Sequence, residues 1–292
     1  MAALELTPKS NDVIGQNQRA RAGWAAYAVL VIGTIIMAYP LVWMVLSSFK
    51  SDEEIFSNSA ALPTHFSLDN YVQGWTSTNP SFTRYFINSF VICLGAVTGN
   101  VLACSLTAFA FARLRFPFKG ALFTIMLLTL MLPSHALLIP QYVLYVRLDW
   151  VNTYLPLIVP KFLATDAFFI FLMIQFIRTI PREMDEAATI DGCSTFAIYR
   201  HIIFPLMRPA IITTIIFTFI WTYNDFFSQL IYLTSPGSLT VPVALRSLVD
   251  TSGGAYAQLL AMSVVSLVPT FIVFLIFQRR LVEGISTSGL KG

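Results

Sequence analysis

Long apolar stretches alternate with short polar segments along most of the chain. Six stretches approach or exceed the ~20 residues that an α-helix needs to cross the hydrocarbon core of a bilayer. They are Trp24–Phe49, Tyr85–Phe111, Gly120–Tyr145, Tyr154–Ile177, Pro209–Leu233 and Gln258–Phe277. Their apolar residues run continuously rather than alternating with polar ones, which excludes a transmembrane β-barrel. The pattern predicts an all-α integral membrane protein with six transmembrane helices.

The positions of the basic residues predict how these helices are oriented. Most of the 18 Lys and Arg residues lie before the first stretch, after the second and fourth, and after the last. Short loops rich in Lys and Arg stay in the cytoplasm. We therefore expect both termini to be cytoplasmic. The expected organisation is a tail at 1–23, a membrane domain at 24–280 and a second tail at 281–292.

Composition narrows the possible functions. The chain is 56% hydrophobic and 11% charged, whereas soluble domains are nearer one quarter charged. The net charge of +3 gives no indication of a nucleic-acid partner, and the three cysteines lack metal-ligand spacing. Neither a G-x-x-x-x-G-K-[ST] phosphate loop nor an H-E-x-x-H motif occurs. We expect a protein that is not an enzyme and holds no metal or cofactor of its own.

A polar segment, residues 181–205, interrupts two apolar stretches. Pro181 suits the first position of a helix, and three acidic residues follow in its early turns. Gly192 can end that helix in a left-handed conformation, Ser194 can cap a second helix and Pro205 can end it. The segment predicts two short helices joined by a tight turn. Either they enter a groove on another protein or they lie on the membrane surface as an ordinary amphipathic helix.

The fifth stretch carries unusually many polar residues, and such residues in a span tend to face the bundle interior. Steps of three and four residues place one set on a single helical face: Thr214, Thr218, Trp221, Asp225, Ser228 and Tyr232. Hydroxyls, a carboxylate and aromatic rings suit a sugar, but polar contacts between helices explain the same pattern. In the fourth stretch, Lys161 and Asp166 are not at facing positions of one helix.

Several motifs resemble those of a known family. The sequence Glu186-Ala187-Ala188, followed by Gly192 and by Ile202-Ile203-Phe204-Pro205, resembles the EAA loop of ABC importer permeases. Other stretches resemble the maltose-transporter-like branch that takes up sugars with a binding protein. They are Asn88-Ser89, Phe109–Phe116, Pro140-Gln141-Tyr142, Asn152-Thr153, Asn224-Asp225-Phe226 and the tail Gln278–Gly292.

The resemblance implies a type I ABC importer permease fold and assigns roles to two groups of residues. A coupling helix would be held by an ATPase subunit through Glu186, Ala187, Ala188, Asp191, Gly192 and Pro205. A substrate pathway would include Trp221, Asn224, Asp225, Ser228, Gln229 and Tyr232. The implied partners are a second permease, two cytoplasmic ATPases that bind ATP and Mg, and an extracytoplasmic sugar-binding protein. The implied location is the cell membrane of a prokaryote.

The expected function is ATP-driven import of a di- or oligosaccharide by alternating access. A glycerol-phosphate-type importer of the same family is an alternative, but a phosphate-bearing substrate favours cations along the pathway and the spans offer few. An ion-coupled secondary transporter is a more distant alternative, because it has no use for an EAA loop.

Overall fold

The computed structural model describes residues 11–57, 62–251 and 255–289, and within these ranges the regular elements are helical. The α-helices, in chain order, are α1 (Asn11–Ser47), α2 (Asp52–Ser57), α3 (Asp69–Thr76), α4 (Phe82–Arg113), α5 (Lys119–Thr129), α6 (Ser134–Arg147), α7 (Leu155–Phe162), α8 (Ala167–Thr179), α9 (Glu183–Ile190), α10 (Thr195–Ile198), α11 (Phe204–Leu206), α12 (Arg208–Tyr223), α13 (Phe227–Tyr232), α14 (Val241–Thr251) and α15 (Tyr256–Gly289). A π-helical turn, Tyr199–Ile203, joins α10 to α11, and a 3₁₀ turn, Pro236–Ser238, precedes α14.

Four parts of the described chain are long and apolar enough to cross a membrane. They are α1 from Ala26, α4, the α7–α8 pair and α15 up to Gln278. The helical stretch Thr195–Leu206 and the helix Arg208–Tyr223 make a fifth if they count as one span, with a bend of 75° between them. The all-α fold is therefore confirmed, whereas six transmembrane helices and cytoplasmic termini stay predictions.

The third apolar stretch is not one helix. It forms α5 and α6, which are separated at residues 130–133. Pro133 explains the separation, because it has no N–H to donate and it disfavours a helical conformation at the residue before it. Pro140, by contrast, lies inside α6 without ending it. Neither half alone has the length that spans a bilayer.

The two predicted tails continue the helices next to them. Helix α1 begins at Asn11, so residues 11–23 are helical and continuous with the first apolar stretch. Helix α15 likewise runs on through residues 281–289. The remainder of the predicted tails, residues 1–10 and 290–292, lies outside the described residues.

Helix α4 is the centre of the fold and packs against α7, α8 and α12. Small residues on its surface let the neighbours approach closely. An added Cβ on Gly99 would lie 2.7 Å from Cδ2 of Phe162 and 3.0 Å from the carbonyl carbon of Lys161. Such close approach between helices is the usual role of small residues in membrane bundles.

Two apolar clusters lie toward opposite ends of α4. One combines the last turns of α4 with α8 to α12, and its buried residues include Phe109, Ile177 and Tyr199. The other combines the first turns of α4 with α12, α14 and α15, and includes Phe82 and Met262. Many apolar side chains on α1, α5 and the outer face of α15 are exposed, as expected for surfaces in contact with lipid or partner chains.

A polar network lies between the two clusters. The Lys161 ammonium contacts the Asp166 carboxylate at 2.8 Å. The amide of Asn100 donates to Asp166 Oδ2 at 2.5 Å and to the hydroxyl of Thr218 at 3.0 Å. Lys161 and Asp166 meet because the chain leaves the helix between α7 and α8, where Ala164 has a φ of 54°. Their spacing on one continuous helix therefore gave no sign of the pair.

We expect Gly99→Ala to lower the thermal stability of the detergent-solubilised chain. Overpacking of this kind costs about 1–3 kcal/mol, since the backbone at Lys161 cannot move aside as a flexible side chain can. The control is Gly33→Ala in α1, where an added Cβ meets nothing within 4 Å. Equal unfolding temperatures for the two variants would contradict the close α4–α7 contact.

Candidate functional site

The polar segment begins with α9. The backbone carbonyl of Arg182 accepts hydrogen bonds from the amides of Asp185 and Glu186, at 2.9 and 3.0 Å. The helix starts at Glu183, so Pro181 lies two residues before it rather than at the first helical position. Three acidic residues in the first turn suit the positive end of the helix dipole.

The tight turn after α9 depends on Gly192, which has a φ of +81°. The amide of Gly192 donates to Thr189 O at 3.1 Å, and that of Cys193 donates to Ala188 O at 2.9 Å. The hydroxyl of Ser194 then accepts from the amide of Ala197 at 3.2 Å and caps α10. The predicted helix–turn–helix is therefore present, with the glycine and the serine in their expected roles.

Pro205 does not end the second helix, contrary to prediction. It lies inside α11, directly after the π-helical turn at Tyr199–Ile203. In a regular α-helix, the ring of Pro205 would clash with the carbonyl four residues back, and its nitrogen has no proton to donate. The wider π-helical turn accommodates the proline. The chain bends instead after Met207, at the start of α12.

Buried contacts hold this segment to the spans. Nε of Arg113, in the last turn of α4, lies 2.6 Å from Asp185 Oδ2. A second nitrogen of the same guanidinium donates to Ile180 O at 2.7 Å. The hydroxyls of Ser105 and Tyr199 are 2.8 Å apart. The segment therefore contacts both α4 and the end of α8, and these two helices determine its position.

The Arg113–Asp185 pair is largely buried, with 7% and 18% of the two side chains exposed. Burial raises the pKa of the Asp185 carboxyl above its ordinary value, although the guanidinium groups of Arg113 and Arg182 act in the opposite direction. Because attraction only partly offsets the hydration that a buried ion pair loses, we expect this pair to fix where α9 lies more than to add to the free energy of folding.

The six predicted coupling residues differ in exposure. Glu186, Ala187, Asp191 and Gly192 are exposed, whereas Ala188 is buried in the apolar cluster and Pro205 is half-buried. Sequence reasoning missed Ile190, which is 87% exposed between the alanine pair and the turn. A large apolar residue surrounded by polar ones was the available signal. We call the exposed surface of Glu186, Ala187, Ile190 and Asp191 the α9 face.

The predicted polar stripe on the fifth stretch is wrong in its geometry. The helix stops at Tyr223 and resumes at Phe227. Residues three and four apart on the two sides of this break therefore do not share one helical face. Thr214 and Thr218 are buried, while Trp221 is 51% exposed. The side chain of Asn224 donates to Ile220 O at 2.8 Å, a carbonyl that also accepts from the backbone amide of Asn224 at 3.1 Å.

Residues after the break form hydrogen bonds within the chain. The carboxylate of Asp225 accepts from the amide of Ser228 at 3.1 Å and so caps α13. Gln229 is buried, donates to Thr222 O at 2.7 Å and accepts from the hydroxyl of Thr240.

The last of the predicted pathway residues, Tyr232, is also buried, and its hydroxyl donates to Gln141 Oε1 at 3.2 Å. Gln229 and Tyr232 therefore form hydrogen bonds within the chain, and their place in the pathway stays a prediction. Trp221 and Asn224 stay accessible, and Asp225 and Ser228 are half-buried.

Two further motifs hold the loop that follows α13. The side-chain oxygen of Asn152 accepts from the amide and hydroxyl of Thr234, both at 2.7 Å, and from the amide of Ser235 at 3.0 Å. The amide of Asn88 in α4 donates to Gly237 O at 3.0 Å and to Leu239 O at 2.7 Å. These asparagines replace backbone partners that an irregular loop lacks.

Comparisons with known proteins place these features in context. Residues 99–283 match the family model described as "Binding-protein-dependent transport system inner membrane component". The chain is 34% identical to the arabinooligosaccharides transport system permease protein AraQ of Halalkalibacterium halodurans, over 88% of this chain and 92% of that protein. It is 33% identical to the trehalose/maltose transport system permease protein MalG of Thermococcus litoralis, over 90% and 96%.

The fold also resembles a solved structure. A chain of a bacterial ABC transporter involved in the import of the acidic polysaccharide alginate superimposes with a TM-score of 0.78. The match covers 94% of this chain and 99% of that one, at 20% sequence identity. At this identity the likeness establishes the fold alone.

We expect single substitutions in the Arg113–Asp185 pair to be more damaging than the double substitution. Either Arg113→Met or Asp185→Leu leaves one buried charge without its partner, which costs about 3–5 kcal/mol. Arg113→Met combined with Asp185→Leu removes both charges and should recover most of that loss. Thermal unfolding of the four solubilised proteins completes the double-mutant cycle. Additive losses would show that the two side chains act independently.

Proposed function

Because the chain belongs to the family of inner membrane components of binding-protein-dependent transport systems, we propose that it is the permease subunit of an ATP-driven importer of a di- or oligosaccharide. It would carry the sugar into the cytoplasm by alternating access, as one of two permeases in a heterodimeric pore. ATP and Mg would be bound by two cytoplasmic ATPase subunits rather than by this chain. An extracytoplasmic binding protein would deliver the sugar to a multi-pass protein of a prokaryotic cell membrane.

The α9 face is the observation that carries this proposal. It presents two acids, a small residue and an exposed Ile190 on a helix whose Ala188 is buried in the bundle. An apolar and a small residue between acids suit a partner groove that is apolar at its centre and basic at its edge. A groove on an ATPase subunit fits this description. The buried attachment to α4 and α8 would convert movement of that subunit into movement of the spans.

The sugar as substrate rests on different observations. The relatives named above are permeases for arabinooligosaccharides and for trehalose or maltose. In this chain, Trp221 lies half-exposed among Phe168, Phe169 and Phe217, next to the break at Asn224. An aromatic face beside an amide and a carboxylate suits the C–H faces and hydroxyls of a neutral sugar. A helix break inside a membrane bundle is tolerated where it lines a cavity or is buried in protein.

None of the six predicted pathway residues is a cation, which favours a neutral sugar over a phosphate-bearing substrate. The α7–α8 span holds Lys161 and Arg178, and Lys161 already contacts Asp166. Family membership likewise disfavours an ion-coupled secondary transporter, because binding-protein-dependent systems need components outside this chain.

We expect Gly192→Val to abolish ATP-driven sugar uptake in vesicles that hold the assembled transporter, while the chain is still inserted. A β-branched residue is strained at this positive φ, by about 1–2 kcal/mol, and the strain would displace the turn after α9. The control is Gly192→Asn, since asparagine tolerates the left-handed conformation. An added Cβ at Gly192 meets nothing within 4 Å, so a steric clash inside the chain is not the cause.

Glu186→Lys tests the same face by charge. It should lower both uptake and co-purification of the ATPase subunit, because a cation would then meet the basic partner surface. Wild-type uptake in Gly192→Val and Glu186→Lys together would refute the role of α9 as a coupling helix. Uptake by vesicles with this chain alone would refute the need for an ATPase.

We expect Trp221→Ala and Asp225→Asn to change which sugars compete for uptake. If these residues line the pathway, the ratio of uptake rates between two sugars should shift while the amount of assembled complex stays the same. The matched control is Gln229→Ala, whose side chain is engaged within the chain. Loss of assembly without any change of preference would assign Trp221 and Asp225 to packing.

A further inference from the structure

A cationic cavity lies beside the coupling segment, where α4 and α8 end and α5 begins. Its volume is about 690 Å³, and its lining includes Arg113, Lys119, Arg178 and Arg182 against a single acid, Glu183. The sugar pathway does not use this cavity, because it lies at the end of the bundle and away from the break at Asn224.

The cations of this cavity crowd one another. Burial lowers the pKa of the Lys119 ammonium, and the nearby guanidinium groups of Arg182, Arg178 and Arg115 lower it further. Arg113 has its own counter-ion in Asp185, but Lys119 donates to a neutral group, Leu114 O, at 2.8 Å. Arg178 lies over the ring of Phe123, with its guanidinium carbon 5.7 Å from the ring centroid. An anion entering the cavity would relieve this repulsion.

The surroundings of the cavity indicate what kind of anion. The apolar helix α5 starts at its edge, and Phe118, just before α5, is 81% exposed. Leu122 and Ile125 on α5 are exposed as well. An anionic head with an apolar tail matches this layout, because the head reaches the cations while the tail lies along α5. Basic pockets between membrane helices bind lipid head groups for this reason.

We propose that this cavity binds the phosphate group of an anionic phospholipid, with Lys119, Arg178 and Arg182 around the head group and the acyl chains along α5. The proposal needs the chain to be embedded in a bilayer but does not depend on which substrate it carries. It also places a lipid next to Arg113, the residue that anchors α9 to α4.

The test compares lipid retention by the assembled transporter in nanodiscs of phosphatidylcholine with and without phosphatidylglycerol. After mild delipidation, native mass spectrometry counts the phosphatidylglycerol that stays bound. The variant is Lys119→Gln with Arg178→Gln, which spares Arg113 and its pair. The loss of two cations should weaken phosphatidylglycerol binding by roughly thirtyfold.

Two controls separate this site from general effects of charge and folding. Arg200→Gln with Arg208→Gln removes two exposed cations from the same end of the bundle without touching the cavity lining, and it should leave retention unchanged. Lys119→Arg with Arg178→Lys keeps both charges and should keep the lipid. If the charge-conserving variant loses the lipid as fully as the glutamine variant, charge is not the cause and the proposal fails.

The remaining outcomes distinguish other occupants. Displacement of the retained anion by sodium phosphate, with no preference for phosphatidylglycerol, would assign the cavity to free phosphate and overturn the lipid. Equal retention in wild type and the glutamine variant would also overturn it. So would a loss of ATPase subunits from the glutamine variant without a change in lipid, because the cavity would then face a partner protein. Lipid retention is read separately from sugar uptake, so failure here leaves the proposed function standing.

Discussion

The structure depends on how one polar segment is fastened to an apolar bundle. Ala188, Ile198, Tyr199 and Ile203 are buried against α4 and α8, and the Arg113–Asp185 pair lies at the edge of that contact. Apolar burial supplies most of the free energy, at about 25 cal/mol per Å² of apolar surface. The ion pair fixes the orientation of α9 relative to α4, since a salt bridge constrains orientation in a way that apolar contact does not. In the proposed importer, this junction is where force would pass from an ATPase to the spans.

The spans themselves are interrupted, and the interruptions follow one constraint. Backbone groups freed inside a bilayer need partners from within the protein. At the break after α12, Asp225 accepts from the amide of Ser228 and Gln229 donates to Thr222 O. Between α7 and α8, the hydroxyl of Thr165 donates to Pro160 O. Polar residues thus appear where helices break, which explains why the fifth stretch is rich in them even though several are buried.

The long, continuous apolar stretches made it predictable from the sequence that the fold is all-helical and that most of these stretches form helices. The EAA spacing located the turn at Gly192. The broken helices were not predictable in the same way. A hydropathy pattern does not say where a helix unwinds, so the stripe through Trp221 and Tyr232 failed at residues 224–226. The Arg113–Asp185 contact joins residues far apart in the chain. Arg113 lies in one family-like motif, but nothing in the sequence pointed to Asp185 as its partner, and pairing them required the fold.

Helix α4 connects the two ends of the molecule. Its first half holds the loop after α13 through Asn88, and its last turn holds α9 through Arg113. A helix packed on three sides, with Gly99 against Phe162, bends little, because its neighbours leave no free volume for it. Any displacement of α9 must therefore move α4 as a rigid body or break the Arg113–Asp185 contact. If α4 moves as a rigid body, the loop held by Asn88 and Asn152 would shift together with α9. In the proposed importer, this would couple the side that receives the binding protein to the side that binds the ATPase subunits.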